Sequence, residues 1–98
     1  MYFAVVAVDR PGTRQLRLDT RPAHREYLHG QHAGIKVRLA GPMLAPDGET
    51  MVGTLLVLEA TDLATAEAFV ANDPYRQAGL FADVAVRPWN WVTGNPDK

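Results

Sequence analysis

The segment YFAVVAV, residues 2–8, consists of aromatic, β-branched and alanine residues, which predicts a β-strand. The turn-forming residues Asp9, Pro11 and Gly12 follow it and end the strand. Side chains of a strand alternate between the two faces of a sheet, and in this segment both sets are apolar. A strand with two apolar faces belongs in a sheet that is covered on both sides.

The other elements follow in the order helix, strand, strand, helix, strand. Residues 13–20 allow a turn of helix, but the clearer helix begins at Arg21 and Pro22 and is ended by Gly30 and Gly34. Strands are predicted over 35–40, 51–60 and 82–92. The second helix extends from the N-cap Asp62 to before Pro74, and Asp73 caps a helical turn over 74–79. An Asp47-Gly48 pair predicts a hairpin turn between the second and third strands. The resulting βαββαβ order is that of the ferredoxin-like α+β fold, a four-stranded antiparallel sheet with two helices on one face.

The second face of this sheet predicts an oligomer. Two helices cover one face only, so the other would expose an apolar patch of roughly several hundred Å². A two-fold homodimer that packs sheet on sheet into a barrel covers it most simply. Residues 1–98 are expected to form one domain, with a frayed tail over 93–98.

Composition excludes several classes of protein. Apolar residues make up 47% and charged residues 21% of the chain, as in ordinary soluble domains. The net charge of −1 gives no positive field for nucleic acid. Cysteine is absent, which removes thiol chemistry and fits the cytoplasm. The apolar opening segment is too short to span a membrane, so no membrane partner is expected.

Two residues stand out as candidates for acid–base chemistry. His24 lies early in the first helix, on the stripe that carries Tyr27 and Leu28 toward the sheet. It either forms a structural hydrogen bond at the helix entry or acts as a general acid or base. Asp73 caps the turn at Pro74, and its second oxygen could accept from an imidazole N–H. The sequence leaves their contact open.

Other candidate sites have simpler interpretations. His29 and His32 lack a carboxylate in register, so no metal site is expected there. Gly41 and Pro42 fall at a predicted strand end, where they form a plain turn or admit a ligand close to the backbone. Trp89 and Trp91 favour core or dimer contacts over a pocket wall. The sequence contains no phosphate-binding loop, dinucleotide fingerprint or serine nucleophile motif.

Four motifs taken together resemble the YCII-related (YciI-like) family. They are RPAHREYL at 21–28, AGPML at 40–44, DPYRQAGLF at 73–81 and VAVRPW at 84–89. The resemblance implies a dimeric α+β barrel of ferredoxin-like protomers. It also implies an active site with a histidine and an aspartate, which fall on His24 and Asp73. Further pocket residues implied by the matched motifs are Arg21, Gly41, Pro42 and Tyr75.

The resemblance points to the residues of a site more directly than it points to a particular reaction. Some members of the family resemble dehydrochlorinases of hydroxylated aromatics, and the same barrel serves muconolactone isomerases. Both reactions move a proton on a small oxygenated ring without a cofactor. The first hypothesis is therefore an isomerase or lyase in which His24 shuttles a proton, Asp73 orients it and Arg21 holds an anionic group. A non-catalytic module that binds a small metabolite and a monooxygenase-like enzyme are the alternatives.

Overall fold

The computed structural model describes residues 1–98 as a four-stranded sheet with helices on one face. The elements are β1 (Tyr2–Asp9), α1 (Arg14–His29), β2 (Ile35–Leu44), β3 (Met51–Ala60), α2 (Leu63–Ala71), α3 (Pro74–Gln77) and β4 (Phe81–Trp89). The predicted α+β class and βαββαβ order are confirmed, with the short α3 added before β4. No helix of the structure is both long enough and apolar enough to cross a bilayer.

The sheet is antiparallel throughout, in the order β2-β3-β1-β4. β1 therefore lies inside the sheet, as its two apolar faces require. Pro88 lies on the edge strand β4, where a missing backbone N–H costs least. The β2–β3 turn contains Gly48 at φ +74° and Asp47, whose Oδ1 accepts from the backbone N–H groups of Glu49 and Thr50. The predicted hairpin is confirmed.

The main core lies between the sheet and α2. Phe3, Val5, Leu56 and Leu58 point from the two central strands toward the helices and are at most 2% exposed. The Phe69 side chain of α2 packs against this layer. Burial of a large apolar side chain contributes about 1.5–3 kcal/mol, so this cluster is the main source of stability for a chain of this size.

The other side of the sheet has no covering element across its centre. We call it the open face, and its exposed aliphatic side chains include Val6, Val8, Leu39 and Leu55, which are 39–51% exposed. Val6 and Leu55 are direct cross-strand neighbours on β1 and β3. The alternation seen in residues 2–8 therefore divides β1 into a helix-covered side and an uncovered side.

The first helix differs from its prediction. It begins at Arg14 rather than at Arg21 and Pro22, so that Pro22 lies inside it. The positive φ of Gly12 completes the preceding turn, and α1 then begins after Thr13. Pro22 is exposed, so the carbonyl that loses its N–H partner faces water. The extension adds two turns, and these include Arg17.

Two strand bounds and the tail also differ. β2 continues to Leu44, so Gly41 and Pro42 lie within a strand, and β4 covers 81–89 rather than 82–92. Residues 93–98, expected to be frayed, return to one end of the sheet. Asn95 is 6% exposed and donates to the Tyr2 hydroxyl at 3.0 Å. Asp97 pairs with Arg38 at 2.8 Å.

Candidate active site

A cavity of about 330 Å³ lies between α1 and the strands β2 and β3. We call it the α1 cavity. Its lining residues are Arg17, Arg21, His24, Arg25, Leu28 and His29 of α1, Ala40, Gly41 and Pro42 of β2, Met51 and Thr54 of β3, and Tyr75 of α3. No aspartate or glutamate lines it, although the whole chain carries more acidic than basic residues.

The spacing of polar residues on α1 explains why the cavity is lined as it is. Arg17, Arg21 and Arg25 repeat at four-residue intervals and His24 lies between them, so they share one face of the helix. This face lies opposite Thr54 on the sheet. Arginine and histidine side chains pack less densely there than leucine side chains would, and a cavity is left between the helix and the sheet. α2 supplies most of the helix residues of the main core, and α1 adds Leu28 near its C-terminal end.

His24 meets Asp73 at the wall of this cavity. The distance between His24 Nδ1 and Asp73 Oδ1 is 2.8 Å, and the two residues are 7% and 2% exposed. A carboxylate accepts, so the geometry fits donation by Nδ1, and in the neutral form of the ring Nε2 is then the nitrogen without a proton. Nε2 has no hydrogen-bond partner in the chain, and no fully buried polar side-chain atom of the molecule lacks one. Nε2 therefore opens onto the cavity that His24 lines.

Asp73 also caps α3, as predicted. Its Oδ1 accepts from the backbone N–H of Tyr75 at 2.9 Å. The sequence analysis assigned the cap and the imidazole to different oxygens of this carboxylate. In the structure one oxygen accepts both bonds, so the helix cap fixes the atom that orients His24.

Tyr75 packs against the His24 imidazole and helps to hold the ring in place. Its ring stacks on His24 with 3.9 Å between centroids and an angle of 18° between planes. Tyr75 is 2% exposed, and burial raises the pKa of its hydroxyl, an effect that the nearby Arg17 and Arg21 partly oppose. The phenol therefore keeps its proton at neutral pH.

Arg17 is a buried cavity residue that the sequence analysis missed. Its Nε and Nη2 donate to Asp9 at 2.7 and 2.9 Å, and Nη2 also donates to the Thr54 hydroxyl at 2.7 Å. Burial by itself would lower the pKa of Arg17, but the hydrogen bonds and charges of Asp9 and Tyr75 together outweigh it and raise the pKa. The four-residue spacing from Arg17 to Arg21 was the available signal, and it was hidden because the helix was predicted to begin later.

The other predicted pocket residues also line the cavity. Arg21 is half-buried and forms no salt bridge. Arg25, which the sequence did not single out, also lines the cavity, is exposed and forms no salt bridge. Gly41 and Pro42 contribute strand backbone rather than a turn. A Cβ built on Gly41 meets no atom within 4 Å, so packing inside the protomer does not require glycine there.

Three other candidates from the sequence do not line the α1 cavity, namely His32, Trp89 and Trp91. His32 contacts the Tyr27 carbonyl oxygen through Nε2 at 2.7 Å, on the far side of α1. No group of three or more His, Cys, Asp and Glu side chains is placed to share a metal ion. Trp91 is buried and stacks with the half-exposed Trp89, and Trp91 also packs edge-on against Tyr2, away from the α1 cavity.

The fold and the cavity define a ferredoxin-like α+β protein with a buried histidine–carboxylate pair beside a pocket of small-molecule size. The model of the YCII-related domain matches residues 1–90. The chain belongs to the YCII-related family, as the sequence motifs indicated.

Comparisons with individual proteins agree with this assignment. An uncharacterised protein of Haemophilus influenzae is 34% identical over 97 residues, which cover 94% of this chain and 99% of the relative. The protein YciI of Escherichia coli is 32% identical with the same coverage. Among solved structures, 5-chloro-2-hydroxyhydroquinone dehydrochlorinase (TftG) of Burkholderia phenoliruptrix, in complex with 2,5-dihydroxybenzoquinone, matches with a TM-score of 0.80 and 37% identity. The match covers 92% of this chain and 94% of that enzyme.

Proposed function

We propose that the protein is a cofactor-free enzyme of the lyase or isomerase type, which uses His24 and Asp73 for proton transfer on a small oxygenated ring compound. The observation that carries this proposal is the 2.8 Å contact between His24 Nδ1 and Asp73 Oδ1 at the wall of the α1 cavity. The contact turns the other ring nitrogen, Nε2, toward the space that a substrate would occupy. The structural likeness to a dehydrochlorinase supports an elimination reaction.

The chemistry requires only a base, a leaving group and a place for the developing charge. Loss of HCl from a chlorinated hydroquinone proceeds from its keto tautomer, in which one hydroxyl proton has moved to the ring carbon that bears chlorine. His24 Nε2 takes the proton of the other hydroxyl, the O–H electron pair forms a C=O bond, the ring double bond shifts toward the chlorinated carbon, and the C–Cl bond breaks as chloride leaves. The proton and the chloride account for all the atoms lost, so the step needs neither an oxidant nor a reductant.

Asp73 assists this step through the imidazole. When His24 accepts a proton it becomes a cation, and the adjacent carboxylate stabilises that cation and holds the ring in place. A positioned acid–base group contributes roughly 10²- to 10⁴-fold to a rate. This is sufficient for a proton made acidic by a neighbouring carbonyl or phenol.

The charge of the cavity supports an anionic substrate. Arg21 and Arg25 lie one turn apart on α1 without carboxylate partners. Like charges at this spacing repel by about 0.2–0.5 kcal/mol, which a bound anion would offset. We assign Arg21 the task of holding an anionic group of the substrate, next to His24.

A homodimer through the open face is part of the same proposal. Four strands spaced about 4.8 Å apart and eight to ten residues long present roughly 500 Å² on one face. Two such faces bury roughly 1,000 Å², which is the lower limit for a stable interface. The exposed Val6, Val8, Leu39 and Leu55 at the centre of the open face supply the apolar contact that a second copy needs.

Chloride release from 5-chloro-2-hydroxyhydroquinone tests the proposed reaction. The wild-type protein should release chloride catalytically, and His24→Gln should lower kcat by roughly 10²- to 10⁴-fold because the base is lost. His32→Gln is the matched control, since this histidine lies outside the cavity, and it should keep the wild-type kcat. Full activity of His24→Gln, or no chloride release by the wild type, would contradict the proposal.

A further inference from the structure

Two buried donors at the floor of the α1 cavity are not fully used within the chain. The Tyr75 hydroxyl donates to no acceptor in the chain, although as an acceptor it interacts with the Arg17 guanidinium and so helps to raise the pKa of Arg17. Arg17 uses Nε and Nη2 on Asp9 and Thr54, and its Nη1 bonds neither of these residues. Tyr75 and Arg17 are each 2% exposed. Since no fully buried polar side-chain atom of the molecule lacks a partner, both donors must open onto the cavity that their residues line.

The two donors are neighbours of each other and of the imidazole. The guanidinium carbon of Arg17 lies 4.6 Å from the centre of the Tyr75 ring. His24 stacks on the same ring at 3.9 Å. Both groups therefore lie against the Tyr75 ring, and all three residues line the same cavity.

The donors are held rigidly before any ligand arrives. Asp9 binds Arg17 through two parallel bonds, and Thr54 binds the same guanidinium, so its orientation is fixed. Tyr75 is fixed by its stacking and by the bond from its backbone N–H to Asp73. Donors that need no rearrangement stabilise a developing charge most effectively.

The charges around the two donors favour an anionic oxygen. Arg17 and Arg21 are cationic and lie near the Tyr75 ring, while the charge of Asp9 is already matched by Arg17. Asp73 is engaged by His24 and by the α3 cap. Burial raises the pKa of Tyr75, so its hydroxyl stays protonated and able to donate.

We propose that Tyr75 Oη and Arg17 Nη1 form an oxyanion site, which binds the phenolate or enolate oxygen that develops on the substrate when His24 takes its proton. The substrate class follows: a phenol or an enolisable carbonyl compound, with that oxygen at the cavity floor and the proton facing Nε2. The reaction part of this assignment rests on the proposed function. The binding of an oxyanion is independent of it and is measured without turnover.

4-Nitrophenol is a suitable probe, because its phenol and phenolate forms absorb at different wavelengths and a single ring fits the cavity. The wild-type protein, in whichever assembly state it has in solution, is added to the probe at a series of pH values. The absorbance of the two forms of the probe then gives the pKa of the bound probe. We expect the phenolate to bind about ten-fold more tightly than the phenol, which lowers that pKa by about 1. Tyr75→Phe removes one donor and keeps the stacked ring, so it should lose roughly ten-fold in phenolate affinity and little in phenol affinity.

Tyr27→Phe is the matched control. Its hydroxyl donates to the Phe69 carbonyl at 2.7 Å, away from the α1 cavity, so the pKa of the bound probe should not change. Arg17→Lys gives a second variant, which keeps a cation for Asp9 but loses Nη1, and it should also bind the phenolate less tightly. Equal affinity for the two forms of the probe, or an unchanged ratio in Tyr75→Phe, would overturn the oxyanion site.

The two proposals fail in different ways. Phenolate selectivity together with full chloride release by His24→Gln would keep the oxyanion site and remove the acid–base enzyme. Chloride release that depends on His24, with no phenolate selectivity, would keep the enzyme and remove the oxyanion site.

Discussion

At the scale of the residue, Asp73 joins a local structural task to the proposed chemistry. Its Oδ1 accepts from the Tyr75 backbone and from His24 at the same time. Because the cap fixes this oxygen, the imidazole is oriented by an element that would be needed for folding in any case. The structural and catalytic interpretations of Asp73 are therefore compatible, and a pair of substitutions separates them.

Asp73→Asn and Asp73→Ala should differ in stability and agree in rate. Alanine removes the cap, which costs about 1 kcal/mol, and leaves a buried imidazole nitrogen unpaired, which costs about 1–3 kcal/mol more. Asparagine caps nearly as well as aspartate, so the free energy of unfolding should fall far less. Asparagine is neutral and stabilises no imidazolium, so kcat should fall about 10²-fold or more in both variants.

Urea unfolding and the chloride-release assay on the same preparations measure these two effects. If Asp73→Asn keeps both the stability and the rate of the wild type, then Asp73 is a cap only. The protein would in that case fit a binding module better than an enzyme.

Among the secondary-structure elements, the β2–β3 hairpin has a turn that depends on the ionised carboxylate of Asp47. The Thr50 hydroxyl and the backbone N–H groups of Thr50 and Glu49 lower the pKa of Asp47 from 3.8 to about 2. A lowered pKa in the folded state means that the ionised carboxylate contributes stability above 3.8. That contribution is lost as the pH falls through about 2.

Asp47→Ala should therefore be less stable than the wild type near neutral pH, and the difference should shrink between pH 3.8 and about 2. Urea unfolding at a series of pH values measures the difference. Glu67→Ala removes an exposed carboxylate of α2 and is the control. A wild-type advantage that stays constant down to pH 2 would show that the Asp47 bonds do not form in solution.

The caps and turns of the elements were predictable from the sequence, whereas the start of α1 was not. Asp62, Asp73 and the Asp47-Gly48 pair act through neighbours in the chain, so their caps and turn were predicted correctly. The start of α1 depends on Gly12 closing a turn and on Pro22 facing water, and local preference for proline at a helix start pointed elsewhere. That error concealed Arg17.

At the scale of the whole molecule, the fold class was predictable because strand order and alternation repeat over long segments. The tail was not, since its contacts join residues at opposite ends of the chain. Asn95 and Tyr2 are 93 positions apart, and nothing in the local composition GNPDK indicates their hydrogen bond. The Arg17–Thr54 bond was hidden for the same reason, since its partners are 37 positions apart.

The open face predicts the assembly state. The wild-type protein should have twice the 10.8 kDa chain mass by light scattering at micromolar concentration. Leu55→Asp places a charge at the centre of the open face, where burial without a partner is unfavourable, and should give a monomer. Leu63→Asp, at an exposed position on the helix side, should remain a dimer. A monomeric wild type, or a dimeric Leu55→Asp, would contradict assembly through this face.

The central claim is that a ring nitrogen of His24 moves the substrate proton. Rescue of His24→Ala by added imidazole measures this most directly, because the substitution leaves space for a free imidazole beside Asp73 in the α1 cavity. We expect His24→Ala to release chloride slowly and its rate to rise with imidazole concentration, with no such rise in the wild type. Chloride release by His24→Ala at the wild-type rate without imidazole would contradict it.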